Sequence, residues 1–159
     1  MIMVGVIGAS EADEQLCTVA EHVGEELASR GAIVICGGLT GVMEAVCRGA
    51  RKRDGMTVGI IPSDRKEDAN PHVQIPIVTG IGVARNAIIT RTADVVIAVG
   101  GQFGTLSEIG YALSMGKTVV AIDSWRLERA TERQLPGLIN ASNPKEAVDI
   151  ALESLRLRG

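Results

Sequence analysis

The chain has 159 residues, 19 of them glycine, and a formal net charge of −3. One Trp, one Tyr and one Phe are too few for the base-stacking platform of a nucleic-acid strand, and a mildly acidic chain offers no general nucleic-acid surface. No apolar run approaches the ~20 residues of a membrane span, and the N-terminus lacks the basic region of a signal peptide. Cys17, Cys36 and Cys47 are odd in number and form no C-x-x-C. The expectation is a cytoplasmic protein with reduced, buried thiols, no nucleic-acid or membrane partner, and one domain over residues 1–159.

In chain order, Met1 to Ile7 reads as a strand, followed by Gly8-Ala9-Ser10. Ser10 with Asp13 makes an S-x-x-D start for a helix carrying Leu16, Val19, Ala20, Val23 and Leu27 on one face. Gly31 ends it. Ala32 to Cys36 is a second strand, and Gly37-Gly38-Leu39-Thr40-Gly41 a second glycine turn. A helix then runs to about Arg53, its last turn basic as the dipole favours. Asp54-Gly55 is a turn, and Met56 to Ile61 a third strand. Pro62 to Pro76 is polar and proline-interrupted, a long surface loop. Ile75 to Val78 reads as a short strand, and Val83 to Thr92 as a helix.

Val95 to Val99 is a five-residue apolar run of the kind that makes a buried parallel strand. It ends in Gly100-Gly101-Gln102-Phe103-Gly104, and a helical pattern follows from Thr105, with Leu106, Ile109 and Leu113 at helix spacing and Gly116 as the stop. Thr118 to Ile122 is the next strand. Asp123 to Pro136 is polar and hard to assign, with some helical character. Leu138 to Asn140 is a last short strand, and Asn143-Pro144-Lys145-Glu146 a strong helix start.

Strand and helix alternate throughout. The predicted fold is therefore α/β, a three-layer, doubly wound Rossmann-like domain with a mainly parallel sheet of about six to seven strands. Ligands in such sheets bind beyond the C-terminal strand ends, where the strand order reverses. Three glycine turns fall on that edge: Gly8 to Ser10, Gly37 to Gly41, and Gly100 to Gly104. Backbone N–H groups there are unobstructed by a Cβ, and the following helix adds partial positive charge, so the edge suits a phosphate. The phosphate-binding candidates are Gly8, Ser10, Gly37, Gly38, Thr40, Gly41, Gly100, Gly101, Gln102, Phe103, Gly104 and Thr105, with Arg85, Asn86 and Glu108 beside them.

The stretch VGGQFGTLSEI resembles the PGGxGTxxE signature of the LONELY GUY-like superfamily, once labelled after lysine decarboxylase. Its members include cytokinin-activating phosphoribohydrolases and molybdenum cofactor carrier proteins. Upstream, ANPHVQIPIVTGIGVARNAI looks closer to the carrier-like branch. The resemblance covers nearly the whole chain. It implies a Rossmann-like fold, a homodimer or higher homo-oligomer, and a phosphorylated small-molecule ligand, either a nucleotide or the molybdenum cofactor. If the chain is a hydrolase, Arg85 and Glu108 match its catalytic pair. Departures count against that activity. Gly100 replaces the motif proline, Gln102 a glycine and Ser107 an acidic residue, and Asn86 stands where hydrolases carry lysine.

Glu108 has two readings. It matches the family glutamate, and it also completes a Thr105-x-x-Glu108 capping box. Thr105 likewise either caps the helix or binds phosphate. Arg85 opens a helix, where a cation is electrostatically disfavoured; it makes sense beside an anion or Glu108, and otherwise is a solvated surface side chain. Met115-Gly116-Lys117-Thr118 imitates a P-loop ending, but it lacks the earlier glycine and runs helix to strand. His22 and His72 have no metal-ligand spacing, so no metal site is expected. His72 is a loop residue that could reach ligand. Lys52, Lys66, Lys117 and Lys145 all lie away from C-terminal strand ends, which excludes a lysine decarboxylase using pyridoxal phosphate. The adjacent Ile88 and Ile89 point to different helix faces, one for the sheet and one for a partner subunit.

Overall fold

The computed structural model describes residues 1–131 and 135–157. Its sheet has seven strands: β1 (Met3–Gly8), β2 (Ile33–Cys36), β3 (Thr57–Ile61), β4 (Ile75–Val78), β5 (Val95–Val99), β6 (Val119–Ile122) and β7 (Leu138–Asn140). They lie in the order β4-β3-β2-β1-β5-β6-β7, and every pairing is parallel. The β5 run is buried at all its positions because it is covered on both faces. Val95, Ile97 and Val99 pack with α1 (Glu14–Ser29), α2 (Val42–Lys52) and α5 (Pro144–Arg156). Val96 and Ala98 pack with α3 (Asn86–Thr92) and α4 (Phe103–Ser114). This is the three-layer, doubly wound arrangement that strand–helix alternation implies.

From β1 the chain winds outward to β4, then returns through α3 to place β5 against β1, with Gly8 level with Val99. The loops after β1 and β5 therefore leave in opposite directions and open a crevice between them.

On the first face, α1 and α2 cross at two glycines. A Cβ on Gly49 would lie 1.9 Å from the Glu21 carbonyl oxygen, and one on Gly24 would lie 2.1 Å from that of Val46. The backbones touch, so no side chain fits. Around this contact Glu21 accepts from Arg48 at 2.7 Å and pairs with Lys52, which holds its carboxyl below the usual range.

On the second face, Lys117 explains the P-loop-like tetrapeptide. Its ammonium donates to the carbonyls of Thr90 (2.8 Å), Arg91 (2.6 Å) and Ala93. It thus caps the negative end of α3 from a distant stretch of chain. Gly116, at φ +70°, stops α4 as expected.

Several boundaries differ from the sequence reading. Helix α1 begins at Glu14, because Asp13 itself is the cap and accepts from the Leu16 N–H at 2.8 Å. Ser10 is left in the loop. The helix expected over Val83 to Thr92 is a 3-10 turn, Gly82–Arg85, followed by α3. The loop after β3 carries a short 3-10 turn at Lys66–Asp68. From Asp123 to Thr131 the chain is irregular; the remainder of the 123–136 segment includes residues 132–134, which lie outside the described residues. Cys36 and Cys47 are buried, whereas Cys17 is only half-buried.

The helix crossing is open to a direct check. Gly49→Ala is expected to destabilise the fold by roughly 1–3 kcal/mol, because the added methyl meets backbone that cannot yield. Gly110, exposed on α4 with nothing within 4 Å of its would-be Cβ, provides the contrast. Gly110→Ala is expected to stabilise by about 0.5–1 kcal/mol. Chemical denaturation of the two variants measures both.

Candidate functional site

Three strand ends converge at the crevice: β1 ending at Gly8, β2 at Cys36 and β5 at Val99. The cavity between them has a volume of about 210 Å³. Of the residues singled out from sequence, Gly8, Ser10, Gly37, Arg85, Asn86, Gln102, Gly104, Thr105 and Glu108 line it. They come from four separate stretches of chain.

Gly38, Thr40, Gly41, Gly100, Gly101 and Phe103 do not line the cavity, and most of them shape it. Gly41 has φ +65°, and a Cβ there would meet the Ala9 carbonyl at 2.4 Å. Gly38 packs on Ile61, and Gly100 on Leu16. Gly101, at φ +113°, lies against the Thr105 side chain. The Thr40 hydroxyl donates to the Ser10 carbonyl at 2.9 Å, tying the first two glycine turns together. Phe103 turns outward.

Val6, Ile7, Ala9, Leu39, Met43 and Val83 also line the cavity and escape the sequence reading. Apolar residues at strand ends and helix starts carry no signal that separates a cavity wall from core. The Pro62 to Pro76 loop contributes no lining residue. It works from behind: the Asn70 N–H donates to the Gly38 carbonyl at 2.8 Å, and its side-chain amide to the Leu39 carbonyl at 2.9 Å. The loop holds the second glycine turn in place. His72 stays with it, outside the cavity, its carbonyl accepting from Thr57.

Arg85 is the decisive residue. It is only 7% exposed, so it is no solvated surface arginine. A Cβ on Gly37 would sit 1.9 Å from one of its terminal nitrogens and 2.5 Å from the other, so the terminal edge of the guanidinium abuts the turn after β2, and a larger residue there would push the arginine aside. Its Nε is buried without a hydrogen-bond partner. Burial pushes its pKa down, opposed by the charges of Glu108 and Cys36. A buried guanidinium N–H left unpaired is costly, and such groups cluster where a ligand completes the set.

Glu108 is 5% exposed and reaches the cavity rather than its own helix start. The capping-box reading is thereby overturned. Helix α4 begins at Phe103 with Gln102 as its cap residue, and no side chain caps it. Burial raises the Glu108 carboxyl to about 7, against the smaller opposing pull of Arg85. Among the described residues no hydrogen bond or ion pair joins the two. Thr105, buried one helical turn before Glu108, also caps nothing and turns to the cavity. Behind Gly37, the Cys36 sulfur accepts from the Gly38 N–H at 3.3 Å and lies 3.5 Å from that of Cys47. The Cys47 contact, helped by the Gly38 N–H, holds the Cys36 pKa down and pushes that of Cys47 up. Among the described residues no cluster of His, Cys, Asp or Glu has the makings of a metal site, and no helix is long and apolar enough to cross a membrane.

The sequence profile of the SLOG cluster4 family matches residues 1–148. The chain belongs to the SLOG cluster4 family. It is 41% identical over 155 residues to an uncharacterised protein of Archaeoglobus fulgidus, covering 97% of each. It is 33% identical over 141 residues to the cytokinin riboside 5′-monophosphate phosphoribohydrolase of Mycobacterium tuberculosis, covering 83% of this chain and 75% of that one. Among solved structures, the molybdenum cofactor binding protein of the phototrophic bacterium Rippkaea orientalis superposes with a TM-score of 0.87 at 33% identity, over 98% of this chain and 97% of that one. These relatives set this SLOG cluster4 chain in the LONELY GUY-like superfamily, as the glycine motif implies, with a ligand-binding or hydrolase role.

The raised carboxyl has a measurable consequence. In the unfolded chain Glu108 ionises near 4.5; in the folded chain it does so near 7. Between these values the folded state holds the extra proton, so stability falls as pH rises, by roughly 3 kcal/mol in all. Glu108→Gln lacks this penalty. Relative to wild type, the variant is expected to be progressively more stable from pH 4.5 to 7.5, with little further change above. Unfolding curves of both proteins across that range test it; a constant difference contradicts the buried, unpaired carboxyl.

Proposed function

We propose that the chain binds a phosphorylated small molecule, a nucleotide or a molybdopterin-type cofactor, in the crevice between β1 and β5. The observation that carries this reading is Arg85: a buried guanidinium with an unpartnered Nε, in a cavity floored by glycine turns. A phosphate in the cavity would accept from the terminal N–H groups of this guanidinium in a charge-assisted bond and offset the cost of burying it. Gly37, Gly104 and Thr105 would surround the phosphate with N–H and O–H donors, and Ser10, Asn86 and Gln102 would sit at its edge. Molybdenum cofactor carries such a phosphate, and these donors fit it. The rest of that group would lie toward the mouth of the cavity.

Glu108 supports a second reading, hydrolysis of the N-glycosidic bond of a nucleoside 5′-monophosphate. As the C1′–N bond breaks, positive charge develops on the ribose, and an ionised Glu108 opposite Arg85 would stabilise it. Water then bonds to C1′, and the base leaves with a proton. A carboxyl titrating near 7 would make that activity fall below neutral pH. Ser107 and Asn86 stand against this reading, because a charged group of the hydrolase pattern is missing at each.

One experiment addresses both readings. Calorimetric titration with AMP is expected to show binding that Arg85→Gln weakens at least tenfold, by removing a charge-assisted phosphate contact. No binding of AMP or of molybdenum cofactor sinks the proposal. Chromatography of the same mixtures is expected to show no adenine or ribose 5-phosphate. Release that stops in Glu108→Gln, while that variant still binds, selects the hydrolase instead.

The proposed reading includes self-association. Ile89 is buried, but its neighbour Ile88 on α3 and Tyr111 on α4 are exposed, apolar surface that a second copy would cover. Sedimentation velocity is expected to show a species heavier than the 16.7 kDa chain; a monomer at micromolar concentration removes this part.

A further inference from the structure

The cavity of about 210 Å³ is smaller than the ~300 Å³ at which pockets begin to enclose a whole small ligand. It takes a phosphate and the sugar or linker next to it. The remainder must lie outside the mouth, on whatever surface the rim provides.

Next to that mouth in the chain stands Phe103. It is the only phenylalanine of the chain and is 79% exposed. It sits between Gln102 and Gly104, both of which line the cavity. The chain's single tryptophan backs it: the Trp125 ring centroid lies 5.9 Å from that of Phe103, with the planes tilted by 38°. Trp125 is itself tethered. Its indole N–H donates to the Gln102 carbonyl at 3.2 Å, and the neighbouring Ser124 hydroxyl donates to the Gly100 carbonyl. The two rings are thus fixed to the same turn that opens α4. Gly104, beside Phe103, has nothing within 4 Å of its would-be Cβ.

We infer that Phe103, held by Trp125, is the platform on which the planar nitrogen heterocycle of the ligand stacks, and that it selects phosphorylated ligands carrying such a ring over those without one. This rests on the phosphate site proposed above. A ring pinned at the mouth of an anion site needs little ordering when it binds, and an aromatic face accepts any flat heterocycle, nucleobase or pterin alike. Stacking of one base on one side chain is worth roughly a 5- to 150-fold change in affinity.

The test compares three probes by calorimetry: AMP, 6-hydroxymethylpterin phosphate, and ribose 5-phosphate as the ring-free control. Wild type is expected to prefer one of the ring-bearing probes to ribose 5-phosphate by tenfold or more. Phe103→Leu, as apolar but without a π face, is expected to bring that preference close to one while leaving ribose 5-phosphate within about twofold. Phe103→Tyr is expected to keep it. The probe that wild type prefers tells nucleobase from pterin. Emission of Trp125, the sole tryptophan, is expected to change with the preferred ring-bearing probe and not with ribose 5-phosphate. A preference that survives Phe103→Leu overturns the platform and leaves the phosphate site standing. So does an equal loss for all probes, which would make Phe103 a positioning residue for the turn. A wild-type chain that binds none of the three fails at the phosphate site, and the platform falls with it.

Discussion

The arrangement of the site depends on one close fit, the terminal edge of the Arg85 guanidinium against Gly37. A charged group that large, placed where water cannot reach its Nε, is unfavourable by itself. It is held there by backbone. The 3-10 turn before α3 aims Arg85 inward, Gly37 leaves room for it, and Asn70 locks the Gly37–Gly41 turn from the other side. Burial of the cation then sets the neighbourhood. Glu108 is pulled down by Arg85 but pushed up more strongly by its own desolvation, and ends near neutrality.

That balance bears on what the cavity can hold. A fully ionised carboxylate would pair with Arg85 and repel a phosphate. A carboxyl that takes a proton near 7 can yield the guanidinium to an incoming anion. The two groups are close enough to feel each other's charge and are joined by no hydrogen bond, a geometry that leaves both available. Ordinary structural ion pairs in the chain look different: Arg30 bonds both Glu26 and Asp149, and Glu21 bonds both Arg48 and Lys52.

Rigid elements surround this buried chemistry. The α1–α2 crossing at Gly24 and Gly49 is in backbone contact, and Lys117 closes the end of α3 with three carbonyls. Residues that imitate a phosphate loop in sequence are therefore structural. The turns proposed to hold the ligand are those whose glycines meet at the topological switch.

Much of the architecture was legible in the chain itself. Five successive apolar residues, Val95 to Val99, imply a strand covered on both faces, and glycine turns after successive strands imply a parallel sheet with its functional edge on one side. These are local properties, set by side-chain size, β-branching and the freedom of glycine. Glu108 marks where local reasoning stops. Thr105-x-x-Glu108 satisfies the spacing of a capping box, yet α4 starts three residues earlier than that box requires, with Gln102 as its cap residue, and Glu108 lines the cavity. Arg85 marks the same limit, since nothing in GVARNAI tells that Gly37, forty-eight positions away, will abut the terminal edge of its guanidinium. Strand order decided both. The return of the chain from β4 to β5 brings the ends of β1, β2 and β5 together, and which polar groups end up buried without partners follows from that long-range packing alone.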